Sequence, residues 1–113
     1  MELEKNLTGG SMSLLVMKLL EDGDLYGYQM IEELRRRSED AFRLKAGTLY
    51  PLLHGLEEKG LVTAYEKTAE TGKARRYYHL TKQGRGALRE KEDAWNAYAR
   101  AVGRVLKGGA CLA

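Results

Sequence analysis

Between residues 67 and 91 the chain sets Lys67, Lys73, Arg75, Arg76, Lys82, Arg85, Arg89 and Lys91 against two acidic side chains, a net of +6, and interleaves them with Tyr77 and Tyr78. Clustered cations of this kind are the electrostatic footprint of a polyanion contact. The rest of the chain does not share the bias. Residues 1–66 carry 8 basic and 12 acidic side chains, a net of −4, and residues 92–113 carry 3 and 2. A formal charge of only +3 therefore conceals a concentrated basic patch. A charge run usually does no more than solvate a surface, but this one lies next to a second group of candidate contacts.

That second group is Lys45, Gly47, Thr48, Tyr50 and His54. Gly47, Tyr50, Pro51, His54 and Glu58 fall on one helical face, opposite Leu49, Leu52, Leu53 and Leu56, so the leucines point inward and this row faces solvent. The hydroxyls of Thr48 and Tyr50 can reach base edges or phosphates, and Gly47 permits close backbone approach. Because the leucine row already fills the inward face, Tyr50 is read as a contact residue rather than a core tyrosine. The carboxylates Glu57 and Glu58 repel phosphate, which confines any nucleic-acid contact to the first two turns. No Arg or Gln stands on this helix to read a base bidentately.

Catalytic chemistry has little to work with. There is no Ser-His-Asp set and no phosphate-cradling loop, and Gly84-Arg85-Gly86 is too short for a dinucleotide fingerprint. The histidines, His54 and His79, have no cysteine cluster beside them, which argues against a zinc site. His79 reads as structural. No metal or cofactor is expected.

These residues must be carried by a single small domain. The chain has 113 residues, of which 43% are hydrophobic, and a mean hydropathy of −0.49, enough for one core and too few for two. No apolar run is long enough to cross a membrane. The acidic opening Met1-Glu2-Leu3-Glu4-Lys5 is unlike a secretory signal, and the lone Cys111 cannot build a disulfide framework, so a cytoplasmic location is expected. Met12, Leu15, Val16, Leu19 and Leu20 mark a first amphipathic helix over 11–21. Tyr26, Met30, Ile31 and Leu34 mark a second over 26–37, and the leucine row a third over 45–59 that Gly60 ends. Strands follow at 61–67 and 75–80, with Gly72 in the hairpin loop between them. Thr81 then caps a long helix running to about Lys107, where Gly108-Gly109 should stop it; Gly84 and Gly86 weaken its start. The expected class is mainly α with a small β-hairpin (α+β). The expected divisions are a DNA-binding unit over 1–80, a dimerisation helix over 81–107 and a tail over 108–113.

The long helix repeats Leu88, Trp95 and Val102 every seven residues, with Tyr98 and Val105 in a second row offset by three. These are the two rows of a helix-pairing seam, longer than so small a core can cover, and a second copy of the same helix is the simplest cover. A homodimer is expected, in preference to the stripe folding back on its own domain.

Three helices followed by a basic hairpin make a winged helix-turn-helix plan. Four segments closely resemble the PadR family of bacterial transcriptional regulators, in its order and spacing. They are Tyr26-Gly27-Tyr28, Gly47-Thr48-Leu49-Tyr50-Pro51-Leu52-Leu53, Leu56-Glu57-Glu58-Lys59-Gly60-Leu61-Val62, and Gly72-Lys73-Ala74-Arg75-Arg76-Tyr77-Tyr78-His79-Leu80-Thr81. The resemblance spans about residues 10–107 and is to the short subfamily with a single C-terminal helix. It implies a repressor that binds a pseudo-palindromic operator as a homodimer. The third helix would enter the major groove and the hairpin would reach phosphates. Lys45 stands where the family often has Ser or Asn.

Short PadR proteins that respond to drugs are similar in placing a Trp at the position of Trp95. The resemblance implies a planar aromatic effector held by Trp95 and Tyr98 with Met12 and Leu15. Two readings of Trp95 stand open: a ligand site, or plain core of the dimer seam. Two other functions remain in play, a winged-helix protein-interaction module and a small-molecule sensor without DNA binding.

Overall fold

A computed structural model describes residues 10–111; the acidic opening and the last two residues of the tail lie outside the described residues. The elements run α1 (Gly10–Leu19), β1 (Leu25–Tyr26), α2 (Gly27–Arg37), α3 (Ala46–Glu58), β2 (Val62–Thr68), β3 (Ala74–Leu80) and α4 (Lys82–Cys111). The three strands form one antiparallel sheet in the order β1-β3-β2.

The apolar spacing of each segment decides which face it buries. α1 contributes Val16, Met17 and Leu19, with Leu20 just beyond it; α2 contributes Met30 and Leu34; α3 contributes Leu49, Leu53 and Leu56. Val62, Tyr78, Leu80 and Leu88 close this core from the sheet side and from the first turns of α4. Leu52, expected inward, is only half-buried and packs at the core's margin. Between α2 and α3, Ser38, Glu39 and Asp40 make the turn. Glu39 and Asp40 take positive φ (52° and 69°), while the Asp40 N–H bonds back to the Arg35 carbonyl and Ser38 Oγ accepts the Phe42 N–H.

The local stops hold as the residues suggest. Gly60 ends α3 at φ 76°, and Gly72 turns the hairpin at φ 87°, backbone angles that cost glycine little. Thr81 Oγ1 accepts the Gly84 N–H at 2.9 Å and donates to the Gly60 carbonyl at 2.8 Å, so one side chain caps α4 and ties it to the end of α3.

Four expectations change. Tyr26 is not an inward residue of α2; it pairs with Tyr77 in β1, and its N–H donates to Gln29 Oε1 at 3.0 Å as the helix begins. Leu88 is not on an open seam, because it is 1% exposed and belongs to the domain's own core. Gly84 does more than weaken a helix. A Cβ there would strike the Leu61 carbonyl oxygen and come within 2.6 Å of Leu80 Cδ1, so its lack of a side chain lets α4 lie directly on the sheet's base. Gly108 and Gly109 do not end α4, which continues to Cys111. Glycine lowers helix propensity by about 1 kcal/mol, but it stops a helix only where the backbone turns left-handed, and here the helix runs through both residues.

Candidate nucleic-acid interface

The third helix opens without a side-chain cap. Lys45 is the N-cap residue in extended geometry, and its carbonyl accepts the N–H of Thr48 and Leu49, yet no side chain binds the first-turn amides. An uncapped, exposed N-terminus presents free N–H groups and the positive end of the helix dipole, which favour an anion. Lys45, Gly47, Thr48, Tyr50 and His54 are all exposed. His54 Nε2 lies 3.8 Å from Glu58 Oε1, one turn on.

Tyr50 is 46% exposed, but its orientation is set by packing. Its ring and hydroxyl lie over the first residue of α2, and a Cβ at Gly27 would come within 2.8 Å of Tyr50 Cζ and nearer still to the hydroxyl. Gly27 is thus the seat of Tyr50, a relation between two motifs that no local spacing could reveal.

Alternation along β3 sorts the hairpin's residues. Arg76, Tyr78 and Leu80 share the face toward the helices, and Tyr78 is 4% exposed. Arg75, Tyr77 and His79 share the outer face. Of the two adjacent tyrosines, then, Tyr78 is core and Tyr77 faces out. The Tyr77 ring meets Tyr26 edge-on at 5.3 Å and stacks on Tyr65 at 5.7 Å. Arg75 lies over the Tyr26 ring at 4.4 Å and Lys67 over the Tyr77 ring at 5.7 Å, so the aromatic row aims two cations that face each other across the strands. Lys73 is exposed in the loop beyond them.

Arg76 behaves differently. Its Nη2 lies 3.3 Å from Glu57 Oε2 and its Nε donates to the Tyr78 hydroxyl at 3.2 Å. The Tyr78 bond, reinforced by Glu57, holds the guanidinium still more firmly in its charged form. Arg76 therefore ties the hairpin to the last turn of α3, and Glu57, read from sequence only as a phosphate-repelling charge, is its partner. The three arginines that end α2 are drawn off too, Arg35 to Glu32 and Asp40, and Arg36 and Arg37 to Glu33.

Asp24 lies in the turn before β1, where the sequence marks only a helix-ending Glu21-Asp22-Gly23-Asp24 run. Its Oδ2 accepts the Tyr65 hydroxyl at 2.7 Å and its Oδ1 lies 2.8 Å from His79 Nδ1. Burial alone would raise its carboxyl; the bonds from Tyr65 and His79, with the His79 and Arg85 charges, hold it below the usual carboxylate range. The signal was absent because the partners are 41 and 55 residues away.

On α4, Trp95 is 46% exposed, Tyr98 69%, Val102 37%, and Val105 and Leu106 each 79%. A cavity of about 250 Å³ lies between α1 and this helix, with Leu14, Leu15, Phe42 and Trp95 in its walls beside Lys18 and Glu92. Leu15 and Trp95 are thus brought together, while Tyr98 and Met12 are not among the lining residues. Among the described residues no helix is long and apolar enough to cross a membrane.

A three-helix core, a cationic two-stranded wing and an added helix define a winged-helix protein. The model of the Transcriptional regulator PadR-like family matches residues 16–90. The chain is 36% identical over 92 residues to Transcriptional regulator Rv3488 of Mycobacterium tuberculosis, covering 81% of this chain and 82% of that one. It superposes with a TM-score of 0.78, at 31% identity, on the PadR family transcriptional regulator of Eggerthella lenta, covering 94% of this chain and 90% of the other. It is similar also to a PadR family transcription regulator of Clostridium difficile, with a TM-score of 0.73 at 31% identity, covering 86% and 99%. The chain belongs to the PadR-like family of transcriptional regulators, whose members are regulators and not enzymes.

Proposed function

We propose that this regulator acts in the cytoplasm as a homodimer on a pseudo-palindromic operator and represses transcription by occupying it. The first two turns of α3 enter the major groove, where Lys45, Gly47, Thr48, Tyr50 and His54 meet phosphates and base edges. Lys67, Lys73 and Arg75 on the wing neutralise neighbouring phosphates, and Arg76 holds the wing to α3 as well as adding charge. Trp95, Tyr98, Val102 and Val105 form the dimer seam, without Leu88, which the core already uses. A planar aromatic effector entering beside Trp95 and Leu15, with Tyr98 and Met12 at its margins, would release DNA if it binds one spacing of the two wings more tightly than another.

The observation that carries this reading is the pairing of an exposed, uncapped helix N-terminus with a wing whose cations are stacked on tyrosines. Selection of bound duplexes from a random pool tests it. A palindromic consensus with half-sites about 10 base pairs apart, or a multiple of that, supports the reading. Failure to retain any duplex in dilute salt removes it.

A further inference from the structure

The wing is a lever. Its inward face is buried only at the base, by Val62, Tyr78 and Leu80, and every residue from Tyr65 to Thr68 is exposed. From the Val62–Leu80 pair to the Thr68–Ala74 pair it extends about 20 Å at roughly 3.3 Å per residue. A tilt of about 10° at the base would move such a tip by roughly 3 Å, the length of a hydrogen bond. On the inner face the Arg76–Glu57 pair resists that tilt. The outer face has its own strut: Asp24 grips one residue from each strand, Tyr65 of β2 and His79 of β3.

Resting on the DNA-binding reading above, we infer that Asp24 is a positioning residue whose clasp on Tyr65 and His79 sets the angle at which the cationic wing meets duplex DNA. The groups facing this carboxylate are Tyr65 from β2, His79 from β3 and Arg85 from α4, with Tyr77 beside Tyr65. Arg85 also donates to the Glu21 carbonyl at 3.2 Å, which anchors the turn carrying Asp24. One half of the clasp is a histidine–carboxylate pair, and a bond to an ionised carboxylate is charge-assisted, about twice as strong as a neutral one.

The sign of the effect separates positioning from simple electrostatics. Removing a carboxylate beside a cationic wing should, by charge alone, strengthen binding to a polyanion; loss of a strut should weaken it. Fluorescence anisotropy with duplex DNA on the full chain reads this directly. Asp24→Asn, Asp24→Ala and Tyr65→Phe each weaken binding, the Asp24 variants on the order of tenfold, the scale of one hydrogen bond to a charged group. The slope against log salt stays unchanged, because no phosphate contact is removed, and Tyr65→Phe adds little on top of Asp24→Ala.

Asp24 variants that bind as tightly as the parent overturn the inference. Hydrogen exchange of β2 and β3 amides supplies a readout independent of DNA. Asp24→Ala speeds exchange there and leaves α3 protected, and unchanged strand exchange equally overturns the clasp. Failure of the parent protein to bind any duplex would instead count against the DNA-binding reading.

Discussion

The two ends of α4 lie in opposite surroundings. Its first turns are built into the domain: Thr81 caps them, Gly84 lets them touch the Leu61 carbonyl, and Leu88 is sealed in the core. Past Glu92 the same helix runs on with Trp95, Tyr98, Val102, Val105 and Leu106 uncovered. Isolated helical stretches have little stability of their own in water and depend on packing of an apolar face. The contrast teaches that one winged domain satisfies itself, whereas the distal helix carries an apolar face that the other described residues leave largely open. Substitutions at the two ends should therefore report on different equilibria.

The largest effect is expected at the shared core. Leu53→Ala removes a fully buried side chain and should cost about 2–5 kcal/mol of unfolding free energy, read by urea denaturation of the whole chain. Gly84→Ala follows at about 1–3 kcal/mol, because the added methyl has a carbonyl and a leucine in its way; an unchanged denaturation midpoint would show that the close contact is not tight. Thr81→Ala, which loses the cap and the bond to Gly60, should cost about 1 kcal/mol. Against these, Val105→Ser should leave unfolding of the winged domain unaltered within about 0.5 kcal/mol and instead shift the sedimentation profile toward single chains.

The smallest effect is read from the pH dependence of stability. The folded-state pKa of Asp24 is depressed, so the stability it contributes is present above the unfolded carboxylate value, near 4, and is lost as pH falls through the folded value. Asp24→Asn should thus flatten the acid limb of the pH–stability curve and lower stability at neutral pH. Melting temperatures measured from neutral pH into acid would show it, and parallel curves for the two proteins would count against it.

What could be read from sequence was whatever a few neighbouring residues decide. The leucine spacing of α3, the left-handed stops at Gly60 and Gly72 and the cap at Thr81 each follow from local backbone and hydrogen-bonding preferences. The wing's excess charge was legible for the same reason, being a property of one short stretch. Partnership across the chain was not. Whether Tyr77 or Tyr78 faced inward depended on the register of β3, and β1 is only a two-residue pairing with it. Gly27 and Tyr50 each read as a separate motif until packing placed one on the other. Leu88 shares its heptad row with Trp95, and only the boundary of the core divides them. Gly108 and Gly109 had the composition of a stop, yet the helix runs through them to Cys111.

The stoichiometry and salt dependence of duplex binding test the proposed dimeric DNA contact most directly. A duplex recovered from a random pool, titrated with this protein at stepped salt and followed by anisotropy and sedimentation, should bind two chains together. Its affinity should fall by about 0.9 log units per log of salt for each phosphate neutralised, and losing Lys73 or Arg75 should make that slope shallower by about one such increment. One chain per duplex, or a slope indifferent to both wing cations, would contradict it.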